Sequence, residues 1–261
     1  MSLTGKSPAE TYKDITYVDN DNNGVSSSLS VVRTGEGSST ALSVSDRSLK
    51  VKSATNNTVA LDVQNSSGTS KLFVDTTNGI VKTLGTHANT QFATFAINSL
   101  ESSLYVINTH MPLTYSSANY ATYTYVPTFG TSTDPATTFT TSETNRERAA
   151  ELVPCLWHLP TNISIDTVHS IEGADTATGD TTRMHLFSYD FTSGATACLT
   201  NGTLLAHNSD VTNAGSEQPY LSTWTVDSAT VASGKVILAF FRSDSINSDY
   251  SVQLTVKYHL T

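Results

Sequence analysis

Charge is scarce in this sequence. Only 14% of its 261 residues are Asp, Glu, Lys or Arg. Cysteine occurs twice, at Cys155 and Cys198, which excludes a disulfide-dense scaffold and a four-cysteine zinc site. With 14 glycines and 7 prolines, the chain is neither collagen-like nor a Pro/Gly-rich disordered polymer. No apolar run reaches the ~20 residues that a membrane-crossing helix needs. Met1 to Glu10 lacks a charged flank followed by an apolar stretch, so no secretory signal is read there. Basic residues are also few. The chain holds 14 Lys and Arg against 23 Asp and Glu, a net charge of −9. No basic stripe is present to neutralise phosphates, which argues against nucleic-acid binding. The imbalance is local. Residues 1–100 carry eight basic and eight acidic side chains, whereas residues 101–261 carry six and fifteen. The second part should stay soluble and repel anionic surfaces.

What the sequence does have is hydroxyl groups and β-formers. Ser and Thr account for 77 residues. Val, Ile, Thr, Tyr and Phe dominate the apolar stretches, and these side chains suit a pleated, half-buried surface. One short helical turn is predicted, over residues 145–152, with Asn145 as N-cap. The rest reads as strand and turn, so the expected fold class is all-β.

Three regions differ in texture. Residues 1–37 are polar, with one apolar cluster of Tyr12, Ile15, Tyr17 and Val18. That is too little apolar surface to offset chain ordering, so this segment should order only against a partner. Residues 38–85 hold short alternating segments split by turns, including Asn65-Ser66-Ser67-Gly68 and Asn78-Gly79. A degenerate repeat recurs as Ala41-Leu42-Ser43-Val44, Ala60-Leu61-Asp62-Val63 and Lys71-Leu72-Phe73-Val74. So small a region cannot support its own core. Several copies wound together would solve that, with Leu42, Val44, Leu61, Val63, Leu72 and Val74 as the shared core. Residues 86–261 form a true domain. Strands are predicted near 92–97, 104–108, 121–126, 152–158, 163–171, 182–189, 197–207, 220–226, 235–242 and 251–260. The last alternates cleanly from Ser251 to Leu260. Val236 to Phe241 is apolar on both faces and predicts a central strand, expected to pair with the last one across the 244–248 loop. The count suggests an antiparallel sandwich of the jelly-roll kind.

Catalytic signals are thin. Asp19-Asn20-Asp21-Asn22-Asn23-Gly24 matches the start of a calcium loop, with oxygens on Asp19, Asp21 and Asn23. Its twelfth position is Ser30 where a bidentate Glu is needed, which favours an Asx-rich turn over a cation site. Seven histidines are scattered without a metal-binding spacing, although His158, His169 and His185 lie on separate predicted strands that could converge. His185 should point outward from a core strand. Cys155 reads as a small buried hydrophobe, and pairing with Cys198 is the alternative. Asp175 with Asp180, and Asp244 with Asp249, read as solvated loop carboxylates rather than a glycosidase pair. No nucleophile elbow, phosphate loop or dinucleotide fingerprint is present. No catalytic residue, cofactor or metal is therefore assigned. Tyr115, Tyr120 and Tyr123 are candidate receptor contacts, since tyrosine brings contact area at low entropic cost.

The residues Leu3-Thr4-Gly5-Lys6-Ser7-Pro8-Ala9-Glu10-Thr11-Tyr12-Lys13-Asp14, with Tyr17-Val18-Asp19 and Asn22-Asn23-Gly24-Val25, resemble the N-terminal segment of structural fibre proteins of tailed bacteriophages, particularly marine ones. Residues 60–68 and 73–81 are similar to shaft repeats of such fibres. The resemblance implies a homotrimer made in the host cytoplasm and residing on the virion. It implies attachment to capsid or tail through residues 1–37, with Leu3, Tyr12, Ile15, Tyr17 and Val18 as contacts. It implies a trimeric stalk over 38–85 and a head over 86–261 facing a host-surface glycan or protein, with no membrane insertion and no enzymatic role. Two alternatives stand beside it: a capsid decoration protein that stabilises the shell, and a tailspike-type glycan depolymerase.

Overall fold

The computed structural model describes residues 16–21, 23–104, 106–116, 152–195 and 198–261. It is an antiparallel all-β protein that divides into two units, Met1–Ala88 and Asn89–Thr261. Leu3, Tyr12, Ile15, Tyr120 and Tyr123 lie outside the described residues, as do the predicted strand at 121–126 and most of the helical turn at 145–152.

The first unit holds two four-stranded meanders. One consists of β1 (Thr16–Val18), β2 (Ser30–Thr34), β3 (Ser39–Val44) and β4 (Leu49–Val51). The other consists of β5 (Leu61–Gln64), β6 (Ser70–Asp75), β7 (Ile80–Thr83) and β8 (Thr86–His87). The predicted turns fall where their chemistry requires. Asp75 pairs with Ile80 across the turn that carries Asn78-Gly79, and Gly79 takes φ +69°, a region that side chains disfavour. The Asp75 carboxylate accepts hydrogen bonds from the Asn78 side chain and from the Asn78 and Thr77 backbone N–H groups. These bonds, the Asn78 side chain foremost, hold its carboxyl below the usual carboxylate range.

The second unit is a two-sheet sandwich. Its strands are β9 (Thr90–Leu100), β10 (Met111–Pro112), β11 (Thr114–Tyr115), β12 (Trp157–His158), β13 (Ile163–Ala174), β14 (Asp180–Phe191), β15 (Leu199–His207), β16 (Val211–Asn213), β17 (Tyr220–Thr223), β18 (Thr225–Val226), β19 (Thr230–Val231), β20 (Lys235–Ser243) and β21 (Tyr250–Leu260). One sheet runs β11-β9-β21-β13-β17, and the other β10-β20-β14-β15-β18. The spine orders 9-21-13-17 and 10-20-14-15 are those of a jelly roll. Alternation packs one face of each sheet into a shared core. Phe95, Val168, Leu254 and Val256 come from the first sheet, and Met184, Leu186, Ala239 and Phe241 from the second.

Two predicted features differ. β20 pairs with β14, β10 and β12, while β21 pairs with β9 and β13. The last two strands thus lie in opposite sheets. The reason is burial: Phe187, Tyr189, Leu238 and Phe240 on the far face of the β20 sheet form a second apolar cluster with Leu152 and Cys155. A strand apolar on both sides suits the sheet covered on both sides. The amphipathic β21 suits the sheet with one solvated face. The strand expected at 152–158 is a 3₁₀ turn over Val153–Cys155 followed by the short β12, because Pro154 has no N–H for a ladder and suits the first turn of a helix. The segment 104–108 forms turns among its described residues.

Trp157 anchors the core. Its ring stacks on Tyr115 at 5.6 Å and 9° and meets Tyr258 at 4.9 Å. We expect Trp157→Ala to lower the unfolding free energy of the second unit by about 3–5 kcal/mol, the usual cost of emptying a large buried aromatic site. Chemical denaturation followed by far-UV circular dichroism measures it.

Candidate functional site

The first unit presents apolar surface without a core. Every buried apolar residue among the described ones is numbered 93 or higher, beginning with Ala93. Register shows why. In the first meander Leu42 faces Val51 and Val44 faces Leu49, while Ser43 faces Lys50 on the other side. In the second, Leu61 faces Val74, Val63 faces Leu72, and Val74 also faces Val81. The opposite side carries Asp62, Phe73 and Lys82. The six residues read as stalk core therefore fall on two apolar sheet faces. Those faces stay open within one chain: Leu42 is 41% exposed, Leu49 65% and Val63 48%. Of the candidate attachment residues, Tyr17 pairs with Arg33 and is exposed, and Val18 pairs with Val32. Asp19 does not offer a free ligand set. Its carboxylate accepts a 2.5 Å hydrogen bond from the Arg33 guanidinium, and Asn23 donates its amide to the Asn20 carbonyl.

The second unit carries a cleft of about 690 Å³ on the outer face of its β9-β21-β13 sheet. Alternation sets its floor. Thr94 and Ala96 from β9, Gln253 from β21, and Ile171 and Gly173 from β13 all point away from the core. Ser116 lies at one end and Pro219 at the other. Asn98 and Ser251 sit side by side, the Ser251 hydroxyl donating to Asn98 Oδ1 at 3.3 Å. Glu172 also borders the cleft, but its side chain turns inward. It accepts a 2.9 Å hydrogen bond from the Thr182 hydroxyl of the opposite sheet. No charged side chain therefore faces the cleft among the described residues.

Glu172 is itself unusual. It is 2% exposed, and its other oxygen, Oε1, has no hydrogen-bond partner. Burial raises its carboxyl to about 7, offset in part by the Thr182 hydroxyl. Nearby Asp180 is buried and accepts a hydrogen bond from Ser248, which corrects its reading as a solvated loop carboxylate. Its loop companions act as turn caps. Asp175 accepts the Asp249 N–H, Asp249 that of Ser102, and Asp244 that of Thr181.

The histidines converge differently from expectation. His185 does project away from the core, yet it is fully buried, because that sheet is covered on both faces. Its Nδ1 lies 3.1 Å from His110 Nε2, and its ring is 6.4 Å from that of His207. Burial, then the neighbouring His110, pushes His185 down to about 2, so it stays neutral. His110 was not legible as its partner, since the two are 75 positions apart. His158 lies on β12 and His169 on β13, in different sheets. No cluster of three or more His, Cys, Asp or Glu forms a cation site among the described residues. Cys155 and Cys198 are not joined in a disulfide, and both pack in the same apolar cluster. Tyr115 packs its ring on Trp157 and Phe95 at the core edge, so its role as a receptor contact competes with a structural one.

No protein family and no curated protein matches the chain. Among solved structures, a crystal structure of a candidate glycoside hydrolase from Bacteroides thetaiotaomicron aligns over 90% of this chain and 78% of that one, at 10% identity and a TM-score of 0.22. A similarity at that level carries no argument about fold or activity.

Proposed function

We propose that the chain is a non-catalytic structural virion protein. Three copies wind their N-terminal units into a stalk anchored to capsid or tail, and the jelly-roll heads are displayed outward for host-surface attachment. One observation carries this reading. Eight strands form two sheets in Met1–Ala88, yet no apolar side chain described there is buried within the chain. A sheet with one open apolar face is stable only when that face is covered. Copies of the same face supply matching apolar cover, and the resemblance to phage fibres sets their number at three.

Light scattering of the full-length chain tests the reading. The expected mass is three times the 27.9 kDa chain. A monodisperse monomer with a folded first unit would overturn it.

A further inference from the structure

We infer that the cleft on the outer face of the β9-β21-β13 sheet binds a neutral oligosaccharide. The inference deepens the displayed-head reading by naming the chemistry that the head meets. The cleft, at about 690 Å³, has the size of a small-ligand site. Among the described residues it opens on a surface with hydroxyl and amide side chains and no ionic ones. An anionic ligand would find no Lys, Arg or His among the described lining residues, in a chain of net charge −9. A cationic ligand would find no carboxylate among the described lining residues, because Glu172 faces the core.

Sugar hydroxyls both donate and accept, and they need partners that do the same. Thr94 and Gln253 supply them. Neither side chain makes a hydrogen bond within the chain among the described residues, and Gln253 is exposed. Asn98 adds a second amide, fixed by Ser251. A sugar ring also has an apolar C–H face. Ile171, 48% exposed, pairs directly with Leu221, 73% exposed, and the two form an aliphatic shelf beside Pro219. Gly173 keeps the floor low. A Cβ there would meet Gln218 O and Pro219 Cα at 3.9 Å, so the space above the backbone is open but narrow.

The test uses the full-length chain on an array of neutral and anionic oligosaccharides, with titration calorimetry of each neutral sugar bound. Two variants accompany it. Gly173→Leu fills the cleft without backbone strain, since Gly173 does not adopt a positive φ. Gln253→Ala removes one amide from an exposed position and should fold normally. Binding of a neutral oligosaccharide is expected, weakened about tenfold by Gln253→Ala and lost in Gly173→Leu. Binding confined to anionic sugars, no sugar binding, or binding that both variants leave unchanged would overturn the inference. Native mass is recorded on the same samples. A trimer that binds no neutral sugar sinks the sugar site and leaves the fibre reading standing. A monomer that binds the sugar and loses it in Gly173→Leu sinks the fibre reading alone and upholds the site.

Discussion

The Leu72→Asp, Val74→Asp double variant is expected to sediment at one third of the wild-type mass. Both residues sit on β6, facing Val63 and Leu61 respectively, on the open apolar side of the second meander. Within one chain that side is only partly covered, so a carboxylate there remains hydrated and the monomer pays little. In a stalk of several chains the same carboxylates converge in an apolar seam. Leaving a buried charge unpaired costs about 3–5 kcal/mol. The effect is repeated in each copy, which is enough to dissociate the assembly. Lys82→Ala, on the opposite side of the sheet, should leave the mass unchanged. The melting transition of the second unit should also persist, since its core draws on residues from Ala93 onward. Sedimentation velocity reads both outcomes. If the wild-type chain is a trimer, a double variant that keeps that mass would show that a surface other than the proposed stalk seam holds the chains together.

Glu172→Gln should stabilise the second unit at alkaline pH and leave it unchanged in acid. The Glu172 carboxyl titrates at about 7 in the folded chain against an ordinary 4.5. Between these values the folded state holds a proton that the unfolded state has lost, so stability falls as pH rises. Below the lower value both states are protonated and no penalty exists. Above the upper one the folded state carries a buried carboxylate, and the full difference is lost, about 3 kcal/mol at 1.36 kcal/mol per unit. Gln keeps the shape and can still meet the Thr182 hydroxyl, but it cannot ionise. Denaturation at about pH 4 and about pH 8 should therefore show a gain only at the higher value. A gain of equal size at both would mean that packing, not ionisation, limits this site. The neighbouring phenol reports the same field: burial, then the nearby Asp180 and, to a smaller extent, Glu172, raise Tyr250 above its usual range.

Much of this architecture is local, and so it was legible. The alternation of β21, the turn at Asn78-Gly79 and the repeat that places Leu61, Val63, Leu72 and Val74 on one face all follow from a side-chain period of two. The apolar run of Val236 to Phe241 revealed that its sheet is covered on both faces. It could not reveal which strands flank it, and adjacency in sequence suggested the wrong neighbour.

The candidate site was less legible for the same reason. The cleft is assembled from Thr94, Ile171, Gly173 and Gln253, residues that are individually ordinary and far apart in the chain. No spacing rule marks them, because only the order 9-21-13 puts them side by side. The inward turn of Glu172, the meeting of His110 with His185 and the burial of Asp180 likewise depend on which sheet packs on which. Composition and periodicity alone determined that the chain is all-β, poor in charge, acidic in its second part, and too poor in apolar residues near its start for one chain to build a core there. Pairing order and the two-sheet stacking decided the rest, because long-range contacts are chosen by the total burial they achieve rather than by any segment's own pattern.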